Sequence, residues 1–305
     1  MEIVWDMVII GSGPAGLTAA IYGVRGNVSV LVLEGPEPGG QLLYTQQVEN
    51  YPGKIDTGYG LINSMKEQAA NLGAVFADDI AESVTLNQQS ETDIFKIICP
   101  KRYIYAKSVI IATGSSAKWL NLPNEEKFKG DYISTCATCD GFTHKGKNVA
   151  VVGGGNTAVE DAIYLANMCN KVTLIHRKDT LRAEKIMQKR LFELKNIEFK
   201  WNREIIEYIG NERLTALKLK STNEHQNEEI EVDALFIAIG HTPNTALVSD
   251  LLQTDEFGYL PGPQTNIRGL FTAGDIMDKT DKQAITAAGF GCMAARRALH
   301  FLYMR

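Results

Sequence analysis

One arrangement of residues occurs twice in this chain. Met7-Val8-Ile9-Ile10 is a short apolar run that stops at Gly11-Ser12-Gly13-Pro14-Ala15-Gly16 and resumes with helical spacing through Leu17, Ala20 and Ile21. Val149-Ala150-Val151-Val152 stops in the same way at Gly153-Gly154-Gly155-Asn156-Thr157-Ala158 and resumes through Val159, Ala162 and Ile163. Each predicts a strand, a tight turn and a helix. A second apolar strand follows in both, from Val28 to Leu33 and from Val172 to Ile175, and Glu34 follows Gly11 at the interval at which His176 follows Gly153.

Two further apolar strands ending in glycine close the halves, Val109-Ile110-Ile111-Ala112-Thr113-Gly114 and Leu235-Phe236-Ile237-Ala238-Ile239-Gly240. A third, Leu270-Phe271-Thr272-Ala273-Gly274-Asp275, precedes a small-residue helix from Gln283 to Leu299, so the chain is expected to return to its first domain. The fold class that follows is α/β, with two Rossmann-like dinucleotide-binding domains, the second inserted into the first. The expected boundaries are 1–116 with 244–305, and 117–243, with crossings near Ser115 to Lys118 and His241 to Asn244. The length of 305 residues accommodates two domains of roughly 100–200 residues each. The polar stretch Ser221 to Glu229 reads as a hairpin loop without chemistry, and Leu181 to Lys195 reads as a helix of mixed charge.

A net charge of −5 argues against a nucleic-acid partner, which needs a basic face. No apolar run reaches the roughly 18 residues of a membrane span, and the start Met1-Glu2-Ile3-Val4-Trp5-Asp6 has no basic leader region, so a cytoplasmic protein is expected.

Glycines after a strand let backbone approach a pyrophosphate, the helix N-terminus offers free N–H groups, and an acid some 20 residues on binds a ribose diol. Glu34 stands where that acid belongs, so the first unit suits an unphosphorylated ribose, as in FAD or NAD. In the second unit His176 takes that place, followed by Arg177, Lys178 and Arg182. A carboxylate would repel a ribose 2′-phosphate and a guanidinium binds it in a fork, which selects NADP over NAD.

Of the five cysteines only Cys136 and Cys139 are close in sequence. Such a pair is a metal site or a redox centre. Zinc needs further close ligands, and beyond His144 there is no second pair, so no metal is expected. With two dinucleotide units in the chain the dithiol reading prevails, and Asp140 is placed to exchange the proton each thiol step requires. Cys99, Cys169 and Cys292 are expected as small buried hydrophobes. His241 is expected to be structural, and Trp119 and Trp201 to be packing aromatics.

Taken in order, Gly11 to Gly16, Gly39-Gly40-Gln41-Leu42, Ala112-Thr113-Gly114, Cys136 to Gly141, Gly153 to Ala158, His176 to Arg182, Gly240-His241-Thr242-Pro243-Asn244, and Gly274-Asp275 with Gln283-Ala284 resemble the bacterial-type, low-molecular-weight thioredoxin reductases over nearly the whole chain. The resemblance implies FAD on the first unit, with Gly11, Ser12, Gly13, Pro14, Ala15 and Gly16 at its turn and Glu34 at the adenosine ribose. Gln41, flanked by Gly40 and Leu42, and Asn50 would lie near the flavin, Asp275 at the ribityl chain and Gln283-Ala284 at the ring. Thr113, Gly114, Gly274 and Lys282 join them as cofactor-binding positions. It implies NADPH on Gly153, Gly155, Asn156, Thr157, Ala158, His176, Arg177, Lys178 and Arg182, with Ile239 and Gly240 also cofactor-binding.

By the same resemblance electrons pass from reduced flavin to Cys139, Cys136 attacks the disulfide of thioredoxin, and Asp140 serves as acid and base. A homodimer and a swinging inserted domain are further implications. Lys178 and Lys282 stand where arginine is common, keeping the charge without the planar fork. Related flavin enzymes fit less well. A ferredoxin or flavodoxin NADP reductase would not need Cys136 and Cys139. Glutathione-reductase-like chains carry their pair in the FAD domain, and a dithiol oxidase of this fold would lack the basic cluster. A non-catalytic redox sensor is the rival from another class, and rapid NADPH oxidation with a disulfide would exclude it.

Overall fold

Strands that are apolar on both faces must be covered on both faces, and the two glycine-linked strands are built that way. A computed structural model describes residues 3–45, 47–87, 94–224 and 226–305. Strand β1 (Val4–Ile10) runs into helix α1 (Pro14–Arg25), where proline occupies the first turn and its missing N–H leaves nothing unsatisfied. Next come β2 (Val30–Leu33), α2 (Gly58–Asn71, capped by the Thr57 hydroxyl), β3 (Val75–Ala77) and the strands β4 (Ser83–Asn87), β5 (Ile94–Ile98) and β6 (Tyr103–Ile111). Strand β7 (Ser115–Ala117) leads into α3 (Glu125–Phe128), β8 (Ile133–Ser134), α4 (Ala137–Asp140), β9 (Asn148–Gly153), α5 (Asn156–Ala166) and β10 (Lys171–His176). Then follow α6 (Lys185–Phe192), β11 (Ile197–Trp201), β12 (Arg203–Ile209), β13 (Ala216–Ser221), β14 (Asn227–Glu231) and β15 (Ala234–Ala238). Strand β16 (His241–Pro243) pairs with β7, and β17 (Leu270–Thr272) and α7 (Ala284–Tyr303) complete the chain.

The chain divides into two compact units, one of Met1–Leu43, Val48–Ser116 and Thr242–Arg305, the other of Tyr44–Gln47 and Ala117–His241. In the first, the sheet order is β3-β2-β1-β6-β5-β4, with β17 also on β6. Strands β1, β2, β3, β6 and β17 are mutually parallel, whereas β5 runs antiparallel to the first half of β6 and β4 antiparallel to β5. Met7 and Ile9 face a core that includes Ala19, Ala294 and Ala298 from α1 and α7, and Val8 and Ile10 face another that includes Leu247, Val248 and Leu252.

The second unit repeats the plan with a parallel sheet β11-β10-β9-β15-β8, and β12-β13-β14 form a separate antiparallel sheet. Val149 and Val151 pack with Ala158 and Ala162 of α5, while Ala150 and Val152 pack with Ile205, Leu217 and Leu219 of the three-stranded sheet.

Two expectations shift. The helix expected from Leu181 to Lys195 is confined to α6, because Leu181 and Ala183 are buried in the core and the Arg182 N–H donates to the Gly154 carbonyl at 2.7 Å, holding 181–183 outside the helix. The polar loop expected from Ser221 to Glu229 is shorter, since Asn227–Glu231 forms strand β14 along β13, its Glu228 paired with Lys200 and Arg203. A one-sided edge strand has few apolar residues to betray it. Residue 225 of that stretch lies outside the described residues. Cys99 and Cys169 are buried, as expected, and Cys292 is half-buried. Among the described residues no helix is long and apolar enough to cross a membrane.

Candidate functional site

In the first unit β1, β6 and β17 are adjacent and parallel, so the segments that leave their C-terminal ends share one edge of the sheet. That edge is where open α/β sheets bind ligands. Gly11 has φ +112, and a Cβ there would lie 2.3 Å from the Ala112 carbonyl oxygen; a Cβ on Gly16 would lie 1.9 Å from that of Gly11. Close approach therefore forbids side chains at both. The Ser12 hydroxyl ties the turn together, accepting the Gly39 N–H at 3.0 Å and donating to the Glu34 carbonyl at 3.4 Å. Gly40 opens a short 3₁₀ turn that contains Gln41 and Leu42.

Glu34, one residue past β2, pairs with Lys66 of α2 at 2.6 Å; its side chain is 10 % exposed. Asn50 donates to Gln283 at 3.2 Å, and Gln283 caps α7, which begins at Ala284. The Thr113 hydroxyl donates to the Asn244 carbonyl at 2.8 Å, and Asn244 returns its amide to the Thr113 carbonyl at 2.9 Å, with Gly114 following at φ +66. A Cβ on Gly274 would meet Ala15 of α1 at 2.8 Å. Beside it, the half-buried Asp275 has no hydrogen-bond partner among the described residues, and burial, reinforced by Asp278, raises its pKa to about 6. Lys282 sits at φ +46 with its ammonium on the Lys279 carbonyl at 2.8 Å; burial lowers its pKa while Asp275 and Asp278 oppose the shift.

The second unit has the same geometry with another charge. A Cβ on Gly153 would lie 2.3 Å from the Ala238 carbonyl, and Gly155, the N-cap of α5, has open space about it. Asn156 accepts the Glu184 N–H at 2.9 Å, joining the turn to the start of α6, while Thr157 is exposed and Ala158 buried. Ile239 and Gly240, the latter at φ +103, follow β15 at the same sheet edge. Arg177, Lys178 and Arg182 are exposed, and among the described residues their side chains form no ion pair.

His176 departs from the expected cluster of cations. It is 6 % exposed, its ring occupies the space a Cβ on Gly154 would need, and burial lowers its pKa, aided by Arg182, Arg177 and Lys178 and opposed by a hydrogen bond with the Thr180 backbone. It is a buried support under the glycine turn, and its Nε2 has no partner among the described residues. The cationic charge rests on the other three residues.

Cys136 and Cys139 form a disulfide around the first turn of α4. The Cys139 N–H donates to Cys136 Sγ at 3.2 Å, and Thr138 Oγ1 lies 3.4 Å from the same sulfur. Asp140 is buried, and its Oδ2 is hydrogen-bonded by the Ser134 hydroxyl, which also accepts the Cys136 N–H at 3.0 Å. Burial raises the Asp140 pKa to about 6, with the Ser134 hydrogen bond pulling the other way. Ser134 and Lys66 are the residues sequence reasoning missed. Ser134 was visible only as a serine two positions before Cys136, and nothing in sequence links Lys66 to Glu34.

The model of the pyridine nucleotide-disulphide oxidoreductase family matches residues 5–291. A thioredoxin reductase of Rickettsia bellii is 46% identical over 99% of this chain and 99% of its own length, and one of Streptomyces coelicolor is 44% identical over 99% and 95%. Among solved structures, thioredoxin reductase from Streptococcus pyogenes is similar with a TM-score of 0.92 at 35% identity, covering 100% of both chains. That of Giardia duodenalis gives 0.91 at 34% identity over 99% of this chain and 100% of its own.

Proposed function

This chain belongs to the pyridine nucleotide-disulphide oxidoreductases, among the thioredoxin reductases, and on that premise we propose how its residues carry NADPH-dependent reduction of thioredoxin. The enzymes of this family use FAD and NADPH. FAD, when bound, supplies the two-electron carrier between a hydride donor and a disulfide. The first unit suits it: the glycine turn at Gly11 and Gly16 brings backbone close, Glu34 is an acceptor for a ribose diol, and the half-buried carboxyl of Asp275, without a hydrogen-bond partner among the described residues, suits a ribityl hydroxyl. Gln41, Asn50, Lys282, Gln283 and Ala284 complete this proposed site, which makes the first unit the FAD domain. The second unit is then the NADPH domain, with Arg177, Lys178 and Arg182 on the 2′-phosphate and His176 beneath the turn.

The hydrogen bond from the Cys139 N–H to Cys136 Sγ carries the thiol assignment. Once the disulfide opens, that N–H stabilises negative charge on Cys136, the attacking sulfur. The Cys136 thiolate attacks one sulfur of the partner disulfide, forming a mixed disulfide and releasing the partner's other sulfur as a thiolate. Cys139 then attacks Cys136, restoring the 136–139 disulfide and leaving thioredoxin with two thiols. Asp140 holds the proton that the leaving thiolate takes, since a carboxyl titrating near 6 is within reach of neutral pH.

A disulfide pressed on a flavin cannot also meet a protein partner, so the proposal includes rotation of the NADPH domain about the crossings near 115–118 and 241–244. A homodimer in the cytoplasm completes the reading, supported by family membership alone.

The deciding experiment is spectroscopic. The purified protein should be yellow, bleach anaerobically with NADPH and regain its colour with oxidised thioredoxin, and Cys136→Ser should bleach without recovering. Colourless protein indifferent to both nucleotides overturns the reading. Asp140→Asn should slow turnover and remove a pH limb near 6. A carboxyl whose folded pKa is raised destabilises the fold above about pH 6 and ceases to do so as pH falls toward its ordinary 3.8. The same variant should therefore gain stability at pH 7, on the order of 2–3 kcal/mol, and little at pH 4. Equal melting shifts at both pH values would refute the assigned burial.

A further inference from the structure

The loop that carries Arg177 and Lys178 is held from behind by residues outside every motif read in the sequence. Strand β10 ends at His176, so the next two carbonyls leave the sheet ladder. The Asn202 N–H donates to the Lys178 carbonyl at 3.3 Å, and the Thr222 hydroxyl lies 3.3 Å from the Arg177 carbonyl. Thr222 and Asn202 are themselves joined, the Thr222 N–H donating to the Asn202 carbonyl at 2.9 Å. Asn202 turns β11 into β12 with φ +54, and Thr222 opens the connection from β13 to β14. Trp201, paired across from His176, lies edge-on to its ring at 6.4 Å between centroids.

These contacts form a bracket on the carbonyl side of residues 177 and 178. The side chains of both residues remain exposed and without an ion pair among the described residues. The Thr222 hydroxyl also lies 3.2 Å from the Asn223 side-chain oxygen, and one hydroxyl hydrogen cannot serve both acceptors. Amide oxygen and nitrogen are interchangeable by a flip. With the Asn223 nitrogen turned inward it donates to the hydroxyl oxygen, and the hydroxyl hydrogen is left for Arg177.

We propose that Thr222 and Asn202 are positioning residues for NADPH, fixing the backbone of Arg177 and Lys178 so that both cations are preset for a ribose 2′-phosphate. The proposal rests on the NADPH reading of the second unit. Two like charges on adjacent residues repel, and a loose loop would splay them and lose their shared field on a single anion. Fixing the backbone beforehand removes an ordering cost from binding. The hairpin region that sequence reading left without chemistry thereby acquires a role in cofactor choice.

The test uses the flavin-loaded protein, calorimetric titration with adenosine 2′,5′-bisphosphate and with ADP, and the variants Thr222→Val and Thr222→Ser. Wild type should prefer the bisphosphate. Thr222→Val should bind it about three- to tenfold more weakly, the span of one neutral hydrogen bond, with ADP affinity unchanged. Thr222→Ser should restore it. In steady state KM for NADPH should rise by the same factor in Thr222→Val, with kcat unchanged and NADH kinetics unaffected. Equal weakening of both ligands marks a merely structural residue and overturns the proposal, as does unchanged bisphosphate binding. A wild type that does not distinguish the two ligands overturns instead the NADPH reading on which the proposal rests.

Discussion

At Gly11 and at Gly153 a side chain would strike the carbonyl of a neighbouring strand end, Ala112 in one unit and Ala238 in the other, at the same 2.3 Å. The backbone plan of the two turns is thus shared. Their third small position differs, Gly16 against Ala158, and so do the matching residues at the second strand's end, Glu34 just past β2 and His176 closing β10. Glu34 is paired with Lys66, whereas His176 is buried where its cationic form is disfavoured, and the exposed residues Arg177 and Lys178 follow it. On the proposed reading, the glycines let a dinucleotide backbone approach, and the residues after the second strand select the ribose.

The third small position offers the severest test of that contrast. Gly16→Ala places a methyl 1.9 Å from a backbone oxygen, so the variant should lose its flavin and much of its stability, read by absorbance and melting temperature. Ala158→Gly should lose only about 1 kcal/mol of helix stability and keep NADPH turnover. Similar penalties at both positions would show that the two turns do not differ there. Next in size, Arg182→Ala should raise KM for NADPH about ten- to a hundredfold, the weight of a charge-assisted hydrogen bond, and leave NADH nearly untouched. An unchanged preference between the two nucleotides would place selectivity elsewhere. The smallest effect is expected at Lys66→Met, which frees Glu34 from a half-exposed ion pair worth about 1 kcal/mol or less. Flavin should dissociate a few-fold faster with KM for NADPH unmoved, and a shift in the latter would break the separation between the sites.

The fold class was legible because a strand, a glycine turn and a helix impose a local pattern of apolar residues and glycines that sequence displays directly. Strand β14 was not, because Asn227-Glu228-Glu229-Ile230-Glu231 pairs its backbone with β13 and its Glu228 with Lys200 and Arg203, neither of which is a local property. The cysteine pair was legible from spacing alone, and the disulfide joins the two residues it singled out. Ser134 as the partner of Asp140 was not legible, since a serine two residues before a cysteine has many uses.

Sequence by itself determined the two glycine turns, the opposite residues that follow their second strands and the adjacent sulfurs, all properties of residue identity and short-range spacing. Only the tertiary structure decided that His176 is a buried floor whose cationic form is disfavoured, that Lys66 reaches Glu34, and that Asn202 and Thr222 brace the basic loop. Burial and hydrogen-bond partners depend on segments that are distant along the chain, and those meet only when the sheets have formed.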